Sequence, residues 1–454
     1  MNTPTAGLSR RTFLKQTSLA AASLGALSFG ARSYAAIPGA NDRVRVGVVG
    51  FADRFKGTLL PCFKDHCKEL NFDIVAVSDL WSVRRDEGQK ALEKSFGHPI
   101  TACRNNEELY DKVKDLDAVI ISTADFQHAL LTVDAVNAGK DSYTEKPLAE
   151  TMADNCAVLK AVRDSGRIVQ IGSQRRSGPN YQAAAQFIKD GKFGPIVSVE
   201  LLWNVNQPGR WRRPDLVAKC KEEDTDWKRY LLNRPADVWD PRKYLEYRLF
   251  WPYSSGIPGQ WMCHQIDTVN WFSGLDYPRS VVANGGIYAW NDGRKNADTL
   301  TAVFDYGAAD KPNSGFQVIF SSRMTNAAGG TKEVYYSNGG TMDLSKNTIS
   351  PDGGLTEKFA KEMNQQANLL PSIKLSDIQV ETAANTGTDD LTSAHMRNWQ
   401  ECVRSRKPTN APIEAGFNHA VAVIMANAAY RTGLRVTYDP VRQEVLADGK
   451  PFNL

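Results

Sequence analysis

Short apolar segments alternate with segments of helical pattern over residues 44–171, and this alternation narrows the possible folds more than any other feature. Parallel strands must be joined by long crossover connections, usually helices, so strands separated by helices predict a doubly wound parallel sheet. The expected strands are residues 44–49, 72–78, 118–121, 141–144 and 168–171.

The pattern changes after residue 175. Apolar and polar residues then alternate in several short runs, which is typical of strands with one buried face. A chain of 454 residues is longer than one hydrophobic core usually supports, so two domains are expected. We assign residues 41–175 to an α/β domain. Residues 176–454 are assigned to an α+β domain with an open, mostly antiparallel sheet, which we expect to carry substrate-binding and oligomer contacts.

Residues 1–35 have the pattern of a twin-arginine export signal. Arg10 and Arg11 are followed by Phe13 and Lys15, and then by a weakly apolar run at residues 17–30. That run is too short and too weakly apolar for a stable bilayer span. An ordinary secretory signal or an anchor is the alternative. We expect the twin-arginine export machinery as a partner and a periplasmic, or otherwise exported, mature protein.

Charge and cysteine content exclude other classes. Residues 1–35 hold four of the 55 basic residues and none of the 51 acidic ones, so the remaining chain is balanced. Because this remaining chain has no block of like charges, no nucleic-acid partner is expected. No segment after residue 35 is apolar enough to be expected to span a membrane. Cys62, His66 and Cys67 lie close together, but no second ligand pair follows at zinc spacing, so no metal is expected.

The turn after the first strand suits a bound dinucleotide. Glycines at this point let backbone N–H groups approach a pyrophosphate at a helix N-terminus. Gly50 fits the first glycine position, Ala52 occupies the second, and Gly57 comes two residues late. Asp79 ends the second strand, where an acid binds the adenosine ribose and disfavours a 2′-phosphate. A Rossmann domain that binds NAD is therefore predicted.

NADP stays open as the cofactor, because three arginines lie close to this region in sequence: Arg54, Arg84 and Arg85.

Two further motifs follow later strands of the same sheet. Ser122, Thr123 and His128 form an S-T-x-x-x-x-H segment, and Glu145-Lys146-Pro147 follows the next strand. Ligands bind at the carboxyl ends of such strands. Together with a later His264-x-x-Asp267, these motifs resemble the Gfo/Idh/MocA (glucose–fructose oxidoreductase/inositol dehydrogenase) family. The resemblance implies a cofactor site formed by Gly50, Phe51, Ala52, Arg54, Asp79, Ser122, Thr123, His128, Glu145 and Lys146.

The same resemblance implies the catalytic residues. The family's E-K-P lysine, matched by Lys146, contacts the cofactor ribose and the reacting hydroxyl, where an ammonium stabilises developing negative charge. The family commonly has an acid four residues before the histidine, but this chain has Gln260, which cannot act as a base. The proton relay is therefore expected to depend on His264, with Asp267 orienting it or binding a substrate hydroxyl. Arg176, Gln260, His264 and Asp267 are the expected substrate-binding residues.

These features predict an exported NAD(P)-dependent oxidoreductase that acts on a sugar, polyol or glycoside, with the cofactor tightly bound. A homo-oligomer is also expected. Tryptophans at residues 203–251 could stack on sugar rings or simply pack the core. Two alternatives are a glycosidase of the same fold, which oxidises its substrate transiently and returns the hydride, and a non-catalytic binding protein.

Export should depend on the paired arginines. Replacing both residues, Arg10→Lys and Arg11→Lys, should leave precursor in the cytoplasm, because the weakly apolar run after them gives the general secretory route little to bind. Cell fractionation with antibody detection measures this. Unchanged export of the double variant would show that the general secretory route is used instead.

Overall fold

The computed structural model describes residues 42–311, 314–375 and 390–452. The predicted signal at residues 1–35 lies outside the described residues. The first domain contains a six-stranded parallel sheet with strand order β3-β2-β1-β4-β5-β6. Its strands are β1 (Val44–Val49), β2 (Phe72–Ser78), β3 (Thr101–Cys103), β4 (Ala118–Ile121), β5 (Asp141–Thr144) and β6 (Val169–Ile171).

Strand β1 pairs in parallel with both β2 and β4, and strand order reverses between β1 and β4. In open α/β sheets the ligand crevice lies at such a reversal, outside the carboxyl ends of the strands. The helices of this domain follow a π-helical turn at Phe55–Leu59: α1 (Leu60–Cys67), α2 (Ser82–Phe96), α3 (Asn106–Lys112), α4 (His128–Asn137) and α5 (Met152–Ser165).

The sequence pattern missed strand β3 and helix α3. Strand β3 has only three residues, Thr101, Ala102 and Cys103, and Thr101 is exposed. So short a segment carries no readable apolar period. It forms because its backbone pairs with the end of the fully buried strand β2.

The second domain contains an 11-stranded sheet. Strand β10 runs parallel to β7, whereas every other strand pairing in the described part of this sheet is antiparallel, which confirms the predicted mostly antiparallel arrangement. The strands are β7 (Ile196–Asn204), β8 (Ser280–Gly286), β9 (Thr299–Tyr306), β10 (Phe316–Arg323), β11 (Thr331–Ser337), β12 (Gly340–Asp343), β13 (Thr348–Ser350), β14 (Ile373–Lys374), β15 (Val436–Asp439), β16 (Glu444–Ala447) and β17 (Lys450–Pro451).

The remaining helices connect and cover the two sheets. A long segment that precedes β8, residues 205–262, contains only short helices, as its irregular sequence pattern suggested. The helices are α6 (Pro179–Lys189), α7 (Pro214–Val217), α8 (Trp227–Leu231), α9 (Pro241–Leu245), α10 (Cys263–Ser273), α11 (Glu357–Glu362), α12 (Asp390–Ser405) and α13 (Ile413–Thr432).

Helix α12 belongs to the predicted second domain in sequence but packs on the first. Its Trp399 is fully buried against Phe72 and Tyr143, with ring centroids 6.0 and 5.9 Å away. The chain therefore returns to the parallel sheet after building the second domain, so a single boundary at residue 175 does not separate the two packing units.

Among the described residues, no helix is long and apolar enough to cross a membrane. Within the same ranges, no group of three or more His, Cys, Asp or Glu side chains could hold a metal ion.

Candidate active site

A cavity of about 1280 Å³ lies between the carboxyl edge of the parallel sheet and the second domain. One wall comes from the first turn and the strand-end motifs of the first domain. The other wall comes from residues 203–264 of the second domain. Several predicted site residues line it: Gly50, Ala52, Arg54, Asp79, Ser122, Thr123, His128, Glu145, Lys146, Gln260 and His264.

Gly50 shapes the first turn. Its φ is +90°, and a Cβ built there would lie 2.8 Å from Thr123 Cγ2 and 2.9 Å from the Ser122 carbonyl oxygen. Only glycine therefore fits at this position. Gly57, in contrast, would place a Cβ with nothing within 4 Å, so it has no comparable role.

Asp79 holds the same turn from the neighbouring strand. Its Oδ2 accepts the Phe51 N–H at 2.8 Å, and its Oδ1 accepts the Trp81 N–H at 2.9 Å. Burial raises the pKa of Asp79, against the lowering effect of these two donors. The carboxylate lines the cavity with acceptor capacity remaining on each oxygen.

Phe51 takes a different position from the other predicted cofactor residues. Its side chain is fully buried and does not line the cavity, and a Cβ on Gly88 would approach its ring to 2.8 Å. Phe51 thus packs the first turn against helix α2, and its N–H is used by Asp79.

The basic residues of the first turn are paired with acids. Arg54 Nε donates to Glu145 Oε1 at 3.0 Å, and Arg84 lies 2.8 Å from Glu87 and 3.4 Å from Asp53. Arg213 of the second domain reaches the same Asp53 at 2.9 Å. One carboxylate therefore joins the first turn to both α2 and the opposite wall.

His128 ties the two strand-end motifs together. Its Nδ1 lies 2.8 Å from the Pro147 carbonyl oxygen, and its Nε2 lies 3.2 Å from that of Thr123. Burial lowers the pKa of His128 and thereby favours its neutral form. Ser122 Oγ closes the arrangement by donating to the Gly50 carbonyl at 3.0 Å.

Lys146 and Gln260 meet at the centre of the cavity. Lys146 Nζ donates to the backbone carbonyl of Gln260 at 2.6 Å, and burial lowers the pKa of Lys146. The Gln260 amide donates to Asp125 Oδ2 at 2.5 Å and accepts from Arg248 Nε at 2.7 Å. Gln260 therefore connects Lys146, Asp125 and Arg248.

His264 lies one turn beyond Gln260 and also lines the cavity. Its ring stacks on Trp203 at 5.7 Å, and Trp203 stacks on Trp261 at 6.1 Å. Burial, followed by the nearby Lys146 and Arg175, lowers the pKa of His264 well below 6.5. The imidazole is therefore neutral near pH 7 and can accept a proton.

Asp267 and Arg176 do not line the cavity that holds His264. Asp267 is 1% exposed, and its carboxylate accepts two hydrogen bonds from Arg176, at 2.8 and 3.0 Å. His419 Nδ1 lies 3.7 Å away on the other side. Burial would raise the pKa of Asp267, but Arg176 and His419 outweigh it, so the pKa is lowered.

The catalytic role expected of Asp267 and the substrate-binding roles expected of both residues therefore stay predictions, which their position outside the cavity lining does not support. His264 and Asp267 are three residues apart on helix α10, so their side chains point in directions that differ by about 60° around the helix axis. This difference is enough to turn Asp267 toward Arg176 while His264 faces the cavity.

The structure adds residues that sequence reasoning did not single out. Asp125 lies inside the S-T-x-x-x-x-H segment and is fully buried, so its position in a recognised motif was a usable signal. Arg248 lies among the tryptophans of residues 203–251, and no local sequence pattern indicates that it is a site residue. Three further arginines lie close together in this segment: Arg210 and Arg213 line the cavity, whereas Arg212 binds Glu246. The aromatic lining consists of Trp81, Trp203, Trp211, Tyr230, Tyr244, Tyr247 and Trp261.

The chain is similar in sequence to known dehydrogenases. Inositol 2-dehydrogenase of Salmonella typhimurium (strain LT2) is 28% identical over 229 residues, which are 48% of this chain and 64% of that protein. The chain thus matches somewhat less than two thirds of that relative's length. The scyllo-inositol 2-dehydrogenase (NAD(+)) of Bacillus subtilis (strain 168) is 23% identical over 342 residues, 74% of this chain and 82% of that protein.

A solved structure shares the fold across both domains. Aldose-aldose oxidoreductase from Caulobacter crescentus, complexed with glycerol, superposes with a TM-score of 0.59 at 18% identity, covering 87% of this chain and 99% of that one. Residues 44–173 match the family described as "Oxidoreductase family, NAD-binding Rossmann fold". Through this domain, the chain is similar to the Gfo/Idh/MocA oxidoreductases.

Proposed function

We propose that this protein is an NAD-dependent oxidoreductase that transfers hydride between nicotinamide and a hydroxyl-bearing carbon of a sugar, polyol or glycoside. One observation carries the proposal: Lys146 from the first domain and His264 from the second line a single cavity that begins at the Gly50 turn. The names of the inositol dehydrogenase relatives support the substrate class.

The residues present fit a dinucleotide. Gly50 leaves a cradle that a Cβ would fill, and the cavity continues from there to Asp79 at the end of β2. The Asp79 carboxylate suits a ribose diol and opposes a 2′-phosphate. Of the arginines that left NADP open, Arg84 pairs with Glu87, Arg54 pairs with Glu145, and Arg85 donates to the Asp79 carbonyl at 3.3 Å. These contacts support NAD.

The mechanism assigns one proton-handling task to each residue. A bound dinucleotide would supply the hydride acceptor. Neutral His264 accepts the proton of the substrate hydroxyl, and the Lys146 ammonium stabilises the negative charge that develops on that oxygen. The Gln260 carbonyl holds Lys146 in place at 2.6 Å. Gln260 itself moves no proton, because a carboxamide is neither an acid nor a base near neutral pH; its amide instead binds Asp125 and Arg248.

The second domain closes over the dinucleotide half of the cavity. Arg213 pairs with Asp53 at 2.9 Å, Gln127 Nε2 donates to the Tyr230 carbonyl at 2.7 Å, and Tyr247 Oη donates to the Thr123 carbonyl at 3.4 Å. These contacts support a tightly held cofactor. They also suit export of a folded protein through the twin-arginine route, which we propose from residues 1–35. The homo-oligomer stays a prediction.

Gly50→Ala should weaken NADH binding roughly tenfold or more, since strain of this kind costs about 1–3 kcal/mol. The added methyl would meet the Ser122 backbone and Thr123 at a φ of +90°. Gly57→Ala is the matched control and should bind NADH like the wild type, because its Cβ meets nothing within 4 Å. Fluorescence titration measures both affinities. Equal weakening in the two variants would place the dinucleotide elsewhere.

Lys146→Ala and His264→Ala should each slow sugar oxidation roughly 10²–10⁴-fold, and Lys146→Ala should weaken NADH binding far less than it slows turnover. The depressed pKa of His264 also predicts that activity is retained below pH 6.5 and falls only as pH drops through that lowered value. Turnover is followed by NADH absorbance. Lys192→Ala, at an exposed site outside the cavity, is the control.

Near-wild-type turnover in either active-site variant would contradict the assignment. Mass spectrometry of the products separates the alternatives. Net bond cleavage without net oxidation would identify the glycosidase, and cofactor binding without any hydride exchange would identify the binding protein.

The cofactor should remain bound through purification. Protein isolated without added nucleotide and then denatured should release about one dinucleotide per chain, because a ligand that binds only the folded state stabilises that state. Arg213→Gln should lower this yield, since it removes the contact with Asp53, whereas Arg435→Gln on the distant sheet edge should not. Low yield in the wild type, with activity strictly dependent on added NAD, would overturn tight binding.

A further inference from the structure

Arg248 presents a fixed guanidinium group to the cavity. Its Nε donates to Gln260 Oε1 at 2.7 Å, and its Cζ lies 4.7 Å from the Tyr247 ring centroid. Neither of its two terminal nitrogens hydrogen-bonds a residue within the described ranges 42–311, 314–375 and 390–452. Its side chain is 28% exposed and lines the cavity, so those nitrogens are accessible to a ligand there.

The position of this guanidinium group is set by buried neighbours. Gln260 can accept from Arg248 only if its NH₂ points the other way, and that NH₂ donates to Asp125 at 2.5 Å. Asp125 is fully buried and also accepts the Ser254 hydroxyl at 2.6 Å. The two remaining donors of Arg248 are therefore pre-oriented, which reduces the entropy lost when they bind a ligand.

Positive charge is concentrated around this group. Lys146 contacts the same Gln260, and Arg210 lies near enough that burial, Arg248 and Arg213 lower its pKa to about 10. The nearest carboxylate, Asp125, is 4.0 Å from Arg248. Glu145 and Asp53 also act on Arg248 and line the cavity, but each is paired with another arginine, Arg54 and Arg213 respectively. Glu150 lies deeper, and burial and Asp125 raise its pKa, which limits its negative charge. A negatively charged group in the cavity would balance these cations.

We propose that Arg248 binds a carboxylate of the substrate, so that the sugar or polyol oxidised is a sugar acid. A guanidinium donates two parallel hydrogen bonds to the two oxygens of a carboxylate, a match that no single hydroxyl provides. Because Lys146 and Arg248 both bind Gln260, this carboxylate lies close to the reacting hydroxyl. The inference rests on the proposed function, since it names the substrate class of that site.

The test is calorimetric titration of NADH-saturated protein with two matched pairs, D-glucuronate against D-glucose and D-galacturonate against D-galactose. At least one acid should bind tenfold or more tightly than its neutral partner. Arg248→Gln should remove that preference, and Arg248→Lys, which keeps the charge but loses the paired donors, should restore only part of it. Arg442→Gln, at a 72% exposed side chain outside the cavity, is the control for charge alone.

Equal binding within both pairs, or no binding of either acid, would overturn the inference. A preference that survives Arg248→Gln would also overturn it. NADH affinity and melting temperature of each variant check that the fold is intact, and if Arg248→Gln fails this check, the Arg248→Lys comparison decides.

Failure of the proposed function would give a different experimental result. Arg248-dependent binding of an acid, without hydride transfer from any sugar, polyol or glycoside, would leave the carboxylate site standing and remove the enzyme assignment. Oxidation of neutral sugars, with no preference for the acids, would keep the enzyme assignment and remove the carboxylate site.

Discussion

The arrangement of the cavity depends on the three side chains that Gln260 holds. Its backbone carbonyl accepts a hydrogen bond from Lys146. Its side-chain amide donates to Asp125 and accepts from Arg248. An amide can do this because it carries both donors and an acceptor. A carboxylate in the same place would face the buried Asp125 and be repelled by it. The glutamine that the sequence marked as unable to act as a base, and as an expected substrate-binding residue, therefore also organises the site.

Burial shifts the pKa values of the two groups that are expected to handle the proton. It lowers the pKa of His264 and favours the neutral imidazole, and it lowers the pKa of Lys146 as well. The stacking of His264 on Trp203 and of Trp203 on Trp261 keeps this side of the cavity apolar. A neutral acceptor beside a cation suits removal of a hydroxyl proton with stabilisation of the resulting oxygen.

The two domains are joined at the cavity rather than merely adjacent. Asp53 of the first turn binds Arg84 of α2 and Arg213 of the opposite wall. Helix α12 returns to the parallel sheet and buries Trp399 against Phe72 and Tyr143. Motion that opens this part of the cavity must therefore break the contact between Arg213 of the second domain and Asp53 of the first turn.

The sequence by itself determined the parallel sheet and the edge at which the site forms. Alternating strands and helices predict that sheet, and the carboxyl ends of its strands meet at one edge, which brings Gly50, Asp79 and Lys146 together. The tertiary structure alone decided that Asp267 pairs with Arg176 instead of facing the cavity. It also placed Arg248 on Gln260 and returned α12 to the first domain. Local periodicity reports whether a residue is buried, but not which distant side chain it meets. Arg176 and Asp267 lie 91 residues apart, and Phe72 and Trp399 lie further apart still, so their contacts arise only when distant parts of the chain pack together.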